Sequence, residues 1–288
     1  MTKKTPEEIL DDASAWWSTA IIDIHPGKIA MRGYPIEELI GTVRFPEMIW
    51  LLLRGELPQR AQADLLEATM VAAVDHGPQA PSIAISRMAV TCGLPVNGAM
   101  ASAINALDDI HGGAGQQCME LYLEIAADVS DDADLSRAVE AALQRHRDAG
   151  IKIVPGFGHR FHPLDPRTPR LLGLVDAAHA AGVVAGRFAR IGRAVEAALA
   201  KGRAKAIPMN IDGVTAVIYC ELGFEPELGR GIFILSRAVG ILAHAWEQKQ
   251  QGGRIKGPMP TGIPYRYTGP ARRAVPSDAG ARGAPGND

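Results

Sequence analysis

Segments that open on proline, keep a helical period and stop on glycine recur along this chain, leaving little room for any other architecture. "TPEEILDDASAWW" (5–17) offers Thr5 as an N-cap, Pro6 at the first helical position and Glu8 placed to close a capping box. "YPIEELI" (34–40) and "FPEMIWLLLRG" (45–55) repeat the arrangement, the second ending on Gly55. "LPQRAQADLLEATMVAAVDHG" (57–77) sets Ala61, Leu65, Thr69 and Ala72 on one face before a closing glycine. The same period runs through "SIAISRMAVTCG", "DLSRAVEAALQRHRDAG", "TPRLLGLVDAAHAAG", "FARIGRAVEAALAKG" and "GRGIFILSRAVGILAHAWEQKQ". Alternating Val, Ile and Thr are scarce, and "TAIIDI" near residue 19 is the one short-strand candidate. The expected fold is all-α, built from helices of roughly 8 to 20 residues.

With 288 residues, 47% of them hydrophobic, the chain can bury a large core as one big domain or two. A formal charge of -2 gives no basic field, so neither nucleic acid nor a membrane is an expected partner. Apolar runs such as "MIWLLL" (48–53) stop far short of the roughly 20 residues a membrane helix needs. Acidic residues follow Lys3 and Lys4 where a secretory signal would carry its apolar run, so no export is expected and the location is expected to be cytoplasmic. Cys92, Cys118 and Cys220 stand singly in apolar text without metal-ligand spacing, and are expected to be reduced and buried. No metal is expected. Two stretches break the helical pattern: "VPGFGHRFHPLDPR" (154–167), and the tail from Gly257, of which residues 271–288 are expected to be disordered.

Chemistry concentrates at helix ends. Of eight histidines, three adjoin glycine: His76 in "DHG", His111 in "IHGG" and His159 in "GFGHR". Glycine there breaks the helix and lets a ligand approach the backbone. His25, His146, His162, His179 and His244 lack that context and read as packing or surface residues. The arginines and histidines of 154–167 need anions if buried; Asp165 supplies one, and a substrate carboxylate, gripped by the fork of Arg167, is a candidate for another. Arg237 is a second carboxylate candidate, with Ile234, Val239 and Ile241 expected to bury it; its alternative is a salt bridge to Glu247 or another helix. Asp212, in "PMNIDGVTAVIYCELGF", is either a helix N-cap or a general base.

Taken in order and at these separations, "DHGP", "DDIHGGA", "PGFGHRFHPLDPR", "NIDGV" and "GIFILSRAVGILAHAWEQK" resemble the citrate synthase superfamily. Within it they look closest to citryl-CoA lyases and to the citrate-synthase-like module of ATP-citrate lyase. The resemblance implies a helical fold with a large domain (1–149, returning at 246–270) and an inserted small domain (150–245), assembled as a homodimer or higher homo-oligomer. It implies that His111 donates to the thioester carbonyl of acetyl-CoA, that Asp212 moves the methyl proton, and that His159 bonds the keto or hydroxyl oxygen of the acid. His76, Arg167 and Arg237 would orient the acid's oxygens and carboxylates. The implied substrates are an acyl-CoA thioester and a 2-oxo acid, with no permanently bound cofactor. The implied activity is a lyase of the citryl-CoA type, acting on citryl-CoA or a relative such as citramalyl-CoA. The alternatives are a citrate or 2-methylcitrate synthase, which adds acetyl-CoA or propionyl-CoA to the acid, and a non-catalytic CoA-binding homologue. In one place the sequence departs from the pattern. Citrate synthases close the acid pocket with an arginine from the partner subunit, in an "RPR"-type segment; here that place reads "PTGIPYRYTG", with Gly262 and Ile263 where Arg and Pro stand. Arg266, Lys256 and Arg254 are the nearby substitutes. Without one, the pocket favours a pyruvate-type acid over oxaloacetate.

Overall fold

Twelve helices and one small sheet form among the described residues of the computed structural model, which are 4–129, 134–159, 163–260 and 262–274. Helix α1 (Pro6–Trp16) carries the expected capping box: Glu8 N donates to Thr5 Oγ1 at 3.2 Å and Thr5 N to Glu8 Oε2 at 2.7 Å. It buries none of its residues. The strand expected near residue 19 begins slightly later, as β1 (Ile22–His25), and pairs antiparallel with β2 (Lys28–Met31), which pairs with β3 (Tyr34–Pro35). The readable signal was the Pro26-Gly27 turn, where Gly27 takes φ +77°. Strands of four and two residues are too short to show an alternation.

The remaining helices are α2 (Ile36–Leu39), α3 (Phe45–Arg54), α4 (Arg60–Ala73), α5 (Pro81–Thr91), α6 (Val96–Ile104), α7 (Ala114–Ala127), α8 (Leu135–Asp148), α9 (Arg167–Ala180), α10 (Arg187–Ala200), α11 (Ile211–Glu221) and α12 (Pro226–Gln251). On α4, Leu65 and Thr69 are buried as expected, flanked by half-buried Ala61 and Ala72. Helix α11 is apolar all round and buried from Gly213 to Cys220, as a central core helix must be. It packs on α4, α7, α9 and α10, and the cluster around it includes Leu66, Tyr122, Ile125, Val195, Met209 and Ile218. Each large aliphatic side chain there contributes roughly 1.5 to 3 kcal/mol relative to exposure. A second cluster, with Ile83, Ala103, Leu107 and Ile241, fills the space between α5, α6 and α12.

Several expectations need correction. Cys92 is exposed, because it caps the C-terminal end of α5; Cys118 and Cys220 are buried. Val239 is exposed while Ile241 is fully buried, two residues on and therefore on another face of the helix. Helix α12 has the length and mean hydropathy of a membrane span, because apolar residues stay dense on average around Arg237 although no single run is long. In this fold its buried side packs against α4, α5, α6 and α7. Residues 275–288 of the expected disordered tail lie outside the described residues, as do Arg160 and His162.

Candidate active site

A cavity of about 430 Å³ is lined by His76, His111, His159, Arg167, Asp212 and Arg237. All six candidates read from the sequence therefore meet in one place, although the first and last lie 161 positions apart in the chain.

His111 sits on the loop between α6 and α7. Asp108 and Gly112 bridge across that loop, Gly112 takes φ +109°, and Arg230 of α12 holds Asp108 Oδ1 at 2.7 Å and Asp109 Oδ1 at 2.5 Å. The backbone N of Ser82 donates to His111 Nε2 at 3.1 Å. Ser82 is the second residue of α5, so this N–H has no partner within the helix and points outward from its positive end. Because Nε2 accepts, the neutral ring carries its proton on Nδ1. Burial first, then Arg237 and His76, push the His111 pKa below its ordinary value, so the ring is neutral at pH 7 and remains a donor through Nδ1.

His159 and Asp212 are placed together by two segments knitted at their backbones. Gly158 N donates to Pro208 O at 2.7 Å, Asn210 N to Gly156 O at 3.0 Å and Asn210 Nδ2 to Gly158 O at 2.6 Å. Gly156, at φ +84°, lies so close to α11 that a Cβ would stand 2.5 Å from Cys118 Sγ and 2.8 Å from Gly213 Cα. The N-cap of α11 is Asn210, whose Oδ1 accepts from Asp212 N at 2.9 Å and Gly213 N at 3.2 Å. Asp212 is thus the second residue of the helix, its carboxylate is not the cap, and it lines the cavity. Burial raises the Asp212 pKa, and Arg167 and Arg237 only partly oppose it. His76 lies edge-on to His159, with ring centroids 5.8 Å apart. Burial and the two arginines also lower the His76 pKa.

The arginines find part of their counter-charge where the sequence does not show it, at the C-terminal end of α4. Arg167 Nη1 donates to Ala72 O at 3.2 Å, Arg237 Nε to Ala73 O at 3.1 Å and Ser236 Oγ to Met70 O at 2.5 Å. These carbonyls have no partner further along the helix and form its negative pole. Arg167 also grips the fully buried Asp165 with its fork, Nε to Oδ1 at 2.9 Å and Nη2 to Oδ2 at 2.8 Å. Arg237 lies over Phe233, 5.0 Å from the ring centroid. Of the alternative partners for Arg237, Glu247 bonds Arg87 at 2.5 Å instead, and the carboxylates that support the Arg237 charge are Asp75 and Asp212. Of the histidines read as packing or surface residues, His25 is exposed beside Asp23 and His179 faces Val184 O at 3.2 Å.

Burial would raise the Asp165 carboxyl, but Arg167 and the Ile211 N–H outweigh it and bring its pKa down to about 2. A depressed carboxylate pKa adds stability that is complete above the unfolded value of about 3.9 and lost as pH falls toward 2. Asp165→Asn is expected to cost about 2 to 4 kcal/mol at pH 7, because it strands the Arg167 fork. The gap from the unsubstituted chain should narrow between about pH 4 and pH 2. Urea unfolding at stepped pH reads this, and a pH-independent gap would contradict it.

Sequence reasoning missed Ser82, Asn210 and the α4 carbonyls. Pro81 marked the start of a helix and so the free N–H of Ser82; Asn210, two residues before Asp212, was itself a good cap. The carbonyls gave no signal, being backbone groups brought in by packing. Among the described residues no group of three or more His, Cys, Asp or Glu is placed to hold a metal ion.

Together these features define a helical protein with an arginine-lined cavity in which a neutral histidine donor and a carboxylate of raised pKa face the same space. The citrate synthase C-terminal domain family matches residues 12–71 and 59–259, and the chain belongs to the citrate synthase family. Citrate synthase of Haloferax volcanii is 32% identical over 212 residues, which are 71% of this chain and 52% of that protein. The chain thus spans about half the length of the curated relatives it matches. Among solved structures, citryl-CoA lyase from Hydrogenobacter thermophilus superposes with a TM-score of 0.79 at 29% identity, covering 91% of this chain and 98% of that one. ATP citrate lyase from Methanothrix soehngenii, in complex with citrate and coenzyme A, shares the fold with a TM-score of 0.71 at 17% identity, covering 93% of this chain and 45% of that one.

Proposed function

We infer that the chain cleaves a 3-hydroxy-3-carboxyacyl-CoA, of the citryl-CoA or citramalyl-CoA kind, to acetyl-CoA and a 2-oxo acid. The observation that carries this reading is the meeting, in one cavity with two arginines, of a neutral His111 fixed by Ser82 and an Asp212 of raised pKa. The likeness to citryl-CoA lyase over 98% of that chain supports it.

In the cleavage direction the tertiary hydroxyl gives its proton to His159 and its oxygen becomes the keto oxygen as the carbon-carbon bond breaks. The bonding pair passes into the thioester as an enolate. His111 donates from Nδ1 to the enolate oxygen, and protonated Asp212 delivers its proton to the terminal carbon, making the methyl group. Solvent then takes the proton from His159 and returns one to Asp212. His76, Arg167 and Arg237 orient the acid's oxygens and carboxylates. An acetyl thioester is a very weak carbon acid, so a donor aimed at the developing oxyanion decides the rate. Burial suits Asp212 to both directions, since a carboxyl of raised pKa is protonated more readily for cleavage and is a stronger base for condensation.

A second reading, condensation of acetyl-CoA or propionyl-CoA with the acid followed by thioester hydrolysis, is favoured by the citrate synthase relative. A pyruvate-type acid fits the charge count better than oxaloacetate. Arg167 already shares its fork with Asp165, which among the described residues leaves Arg237 as the other guanidinium this chain brings to the lining; Arg254, Lys256 and Arg266 are exposed and could reach the cavity only of a partner copy. The expected division at residues 150 and 245 enters as part of this proposal. Lining groups come from both sides of residue 150, so relative movement there would open or shut the cavity. A homo-oligomer is also inferred: Leu235, Val239, Leu242 and Trp246 form an exposed 4-3-4 stripe along α12 that a second copy would cover, and sedimentation velocity reads it.

The test is a mass-spectrometric product assay on purified protein, with citryl-CoA and citramalyl-CoA offered separately. Acetyl-CoA with oxaloacetate or pyruvate is expected. Free CoA and a hydroxy polycarboxylic acid, formed instead from acetyl-CoA and a 2-oxo acid, would favour the second reading. No product from any of these mixtures would contradict both.

A further inference from the structure

His244 lies on α12, seven residues beyond Arg237, and the sequence offered no reason to link it to the site. Its ring stands between Arg87 of α5 and Asp75, in the turn that follows α4. Arg87 Nη1 is 3.1 Å from His244 Nδ1; a guanidinium only donates, so Nδ1 accepts and the neutral ring carries its proton on Nε2. Nε2 is 3.3 Å from Asp75 Oδ1. That oxygen is buried and has no well-aligned hydrogen bond from any described group, whereas the other carboxylate oxygen, Oδ2, accepts from Gly77 N at 3.0 Å. Arg87 is itself held by Glu247 at 2.5 Å and Gln251 at 2.7 Å, both on α12. Glu247 Oε2 also lies 3.9 Å from His244 Nδ1. Gly240 brings the helix against the same turn, where a Cβ would collide with Val74 O and stand 3.1 Å from Asp75 Oδ1. The Asp75 carboxylate therefore clips the turn that presents His76, and one of its oxygens has His244 as its near donor.

We propose that His244 is a positioning residue: held by Arg87, its Nε2–H fixes the Asp75 carboxylate, which sets the orientation of His76 and supplies counter-charge to Arg237. The proposal rests on the reading above that assigns His76 and Arg237 to the 2-oxo acid. Burial works against the charge of Arg237, and among the groups supporting that charge Asp75 comes before Asp212. Without the His244 donor, a buried carboxylate oxygen loses its near partner and the carboxylate turns toward water. The acid's binding then suffers, while the thioester, which meets His111 on another loop, is untouched.

The test compares His244→Phe and His244→Gln in the full chain, assayed in the condensation direction. His244→Phe is expected to raise KM for the 2-oxo acid about tenfold, with KM for acetyl-CoA unchanged, because a hydrogen bond to a charged group is removed. His244→Gln keeps an N–H donor and is expected to recover most of the loss. A merely structural role would lower the melting temperature and the active fraction, and so kcat, without moving one KM alone. The His76 ring resonance in the NMR spectrum gives a readout independent of turnover, expected to shift in His244→Phe and to return toward its original position in His244→Gln. An unmoved His76 resonance, or Gln behaving like Phe, overturns the proposal. If the His76 resonance responds as expected but His76→Ala leaves the acid's KM unchanged, the positioning stands and the assignment of His76 to the acid fails instead.

Discussion

Asp212→Asn is expected to lower turnover about 1,000-fold, within the 100- to 10,000-fold range that positioned acid–base groups supply. The substitution keeps the shape of the side chain, and the cap of α11 comes from Asn210, so the helix should form as before. Stability should not fall. A carboxyl whose folded pKa is raised costs stability above its unfolded pKa, and the neutral amide removes that cost. The pH profile carries the sharper signature. Condensation needs ionised Asp212, so its rate should decline as pH falls through a value above the ordinary carboxylate range; cleavage needs the protonated form and should decline as pH rises through it. Both limbs should vanish in the variant. An Asp212→Asn protein that keeps a tenth of the activity would remove this residue from the proton transfer.

His111→Ala is the second large effect, about 100- to 1,000-fold in kcat, the loss typical of one oxyanion donor. KM for the thioester should change little, because the bond to the carbonyl strengthens only as charge develops on the oxygen. The loss depends on the tautomer. Ser82 N occupies Nε2, and the nearby Arg237 and His76 add to burial in keeping the ring neutral, so Nδ1–H is its remaining donor. Ser82 also faces Nε2 with its Oγ at 3.0 Å, but its backbone N–H stays in place whatever the side chain, so His111 itself is the place to test. A variant that stays folded, by circular dichroism and melting, with kcat unchanged would show that the donor is another group.

The helical architecture was readable because its punctuation is local. Thr5, Pro6 and Glu8 announce α1, and Gly55 ends α3 in the left-handed conformation at φ +93°. The six site candidates were readable for a related reason. Histidines beside glycine and arginines in apolar text are anomalies of short-range composition, and the family resemblance fixed their order. What stayed hidden depends on packing across long separations. The terminal carbonyls of α4 that hold Arg167 and Arg237 are backbone groups 95 and 164 residues away from their donors. The Asp75–His244 contact spans α12 and the turn after α4 in the same way, and a lone histidine in a helix gives no sign of which carboxylate it will meet. The β1–β2 hairpin was only half legible, since four-residue strands carry too little alternation to stand out.

Deuterium incorporation tests the central claim most directly. Citryl-CoA or citramalyl-CoA is cleaved in D2O, and the methyl group of the released acetyl-CoA is read by mass spectrometry. If Asp212, having exchanged its proton with solvent, protonates an enolate stabilised by His111, the product carries a single deuterium in its methyl group, and Asp212→Asn loses product and label together. Unlabelled acetyl-CoA, or a variant that releases labelled product at the original rate, would contradict the assignment of these two residues.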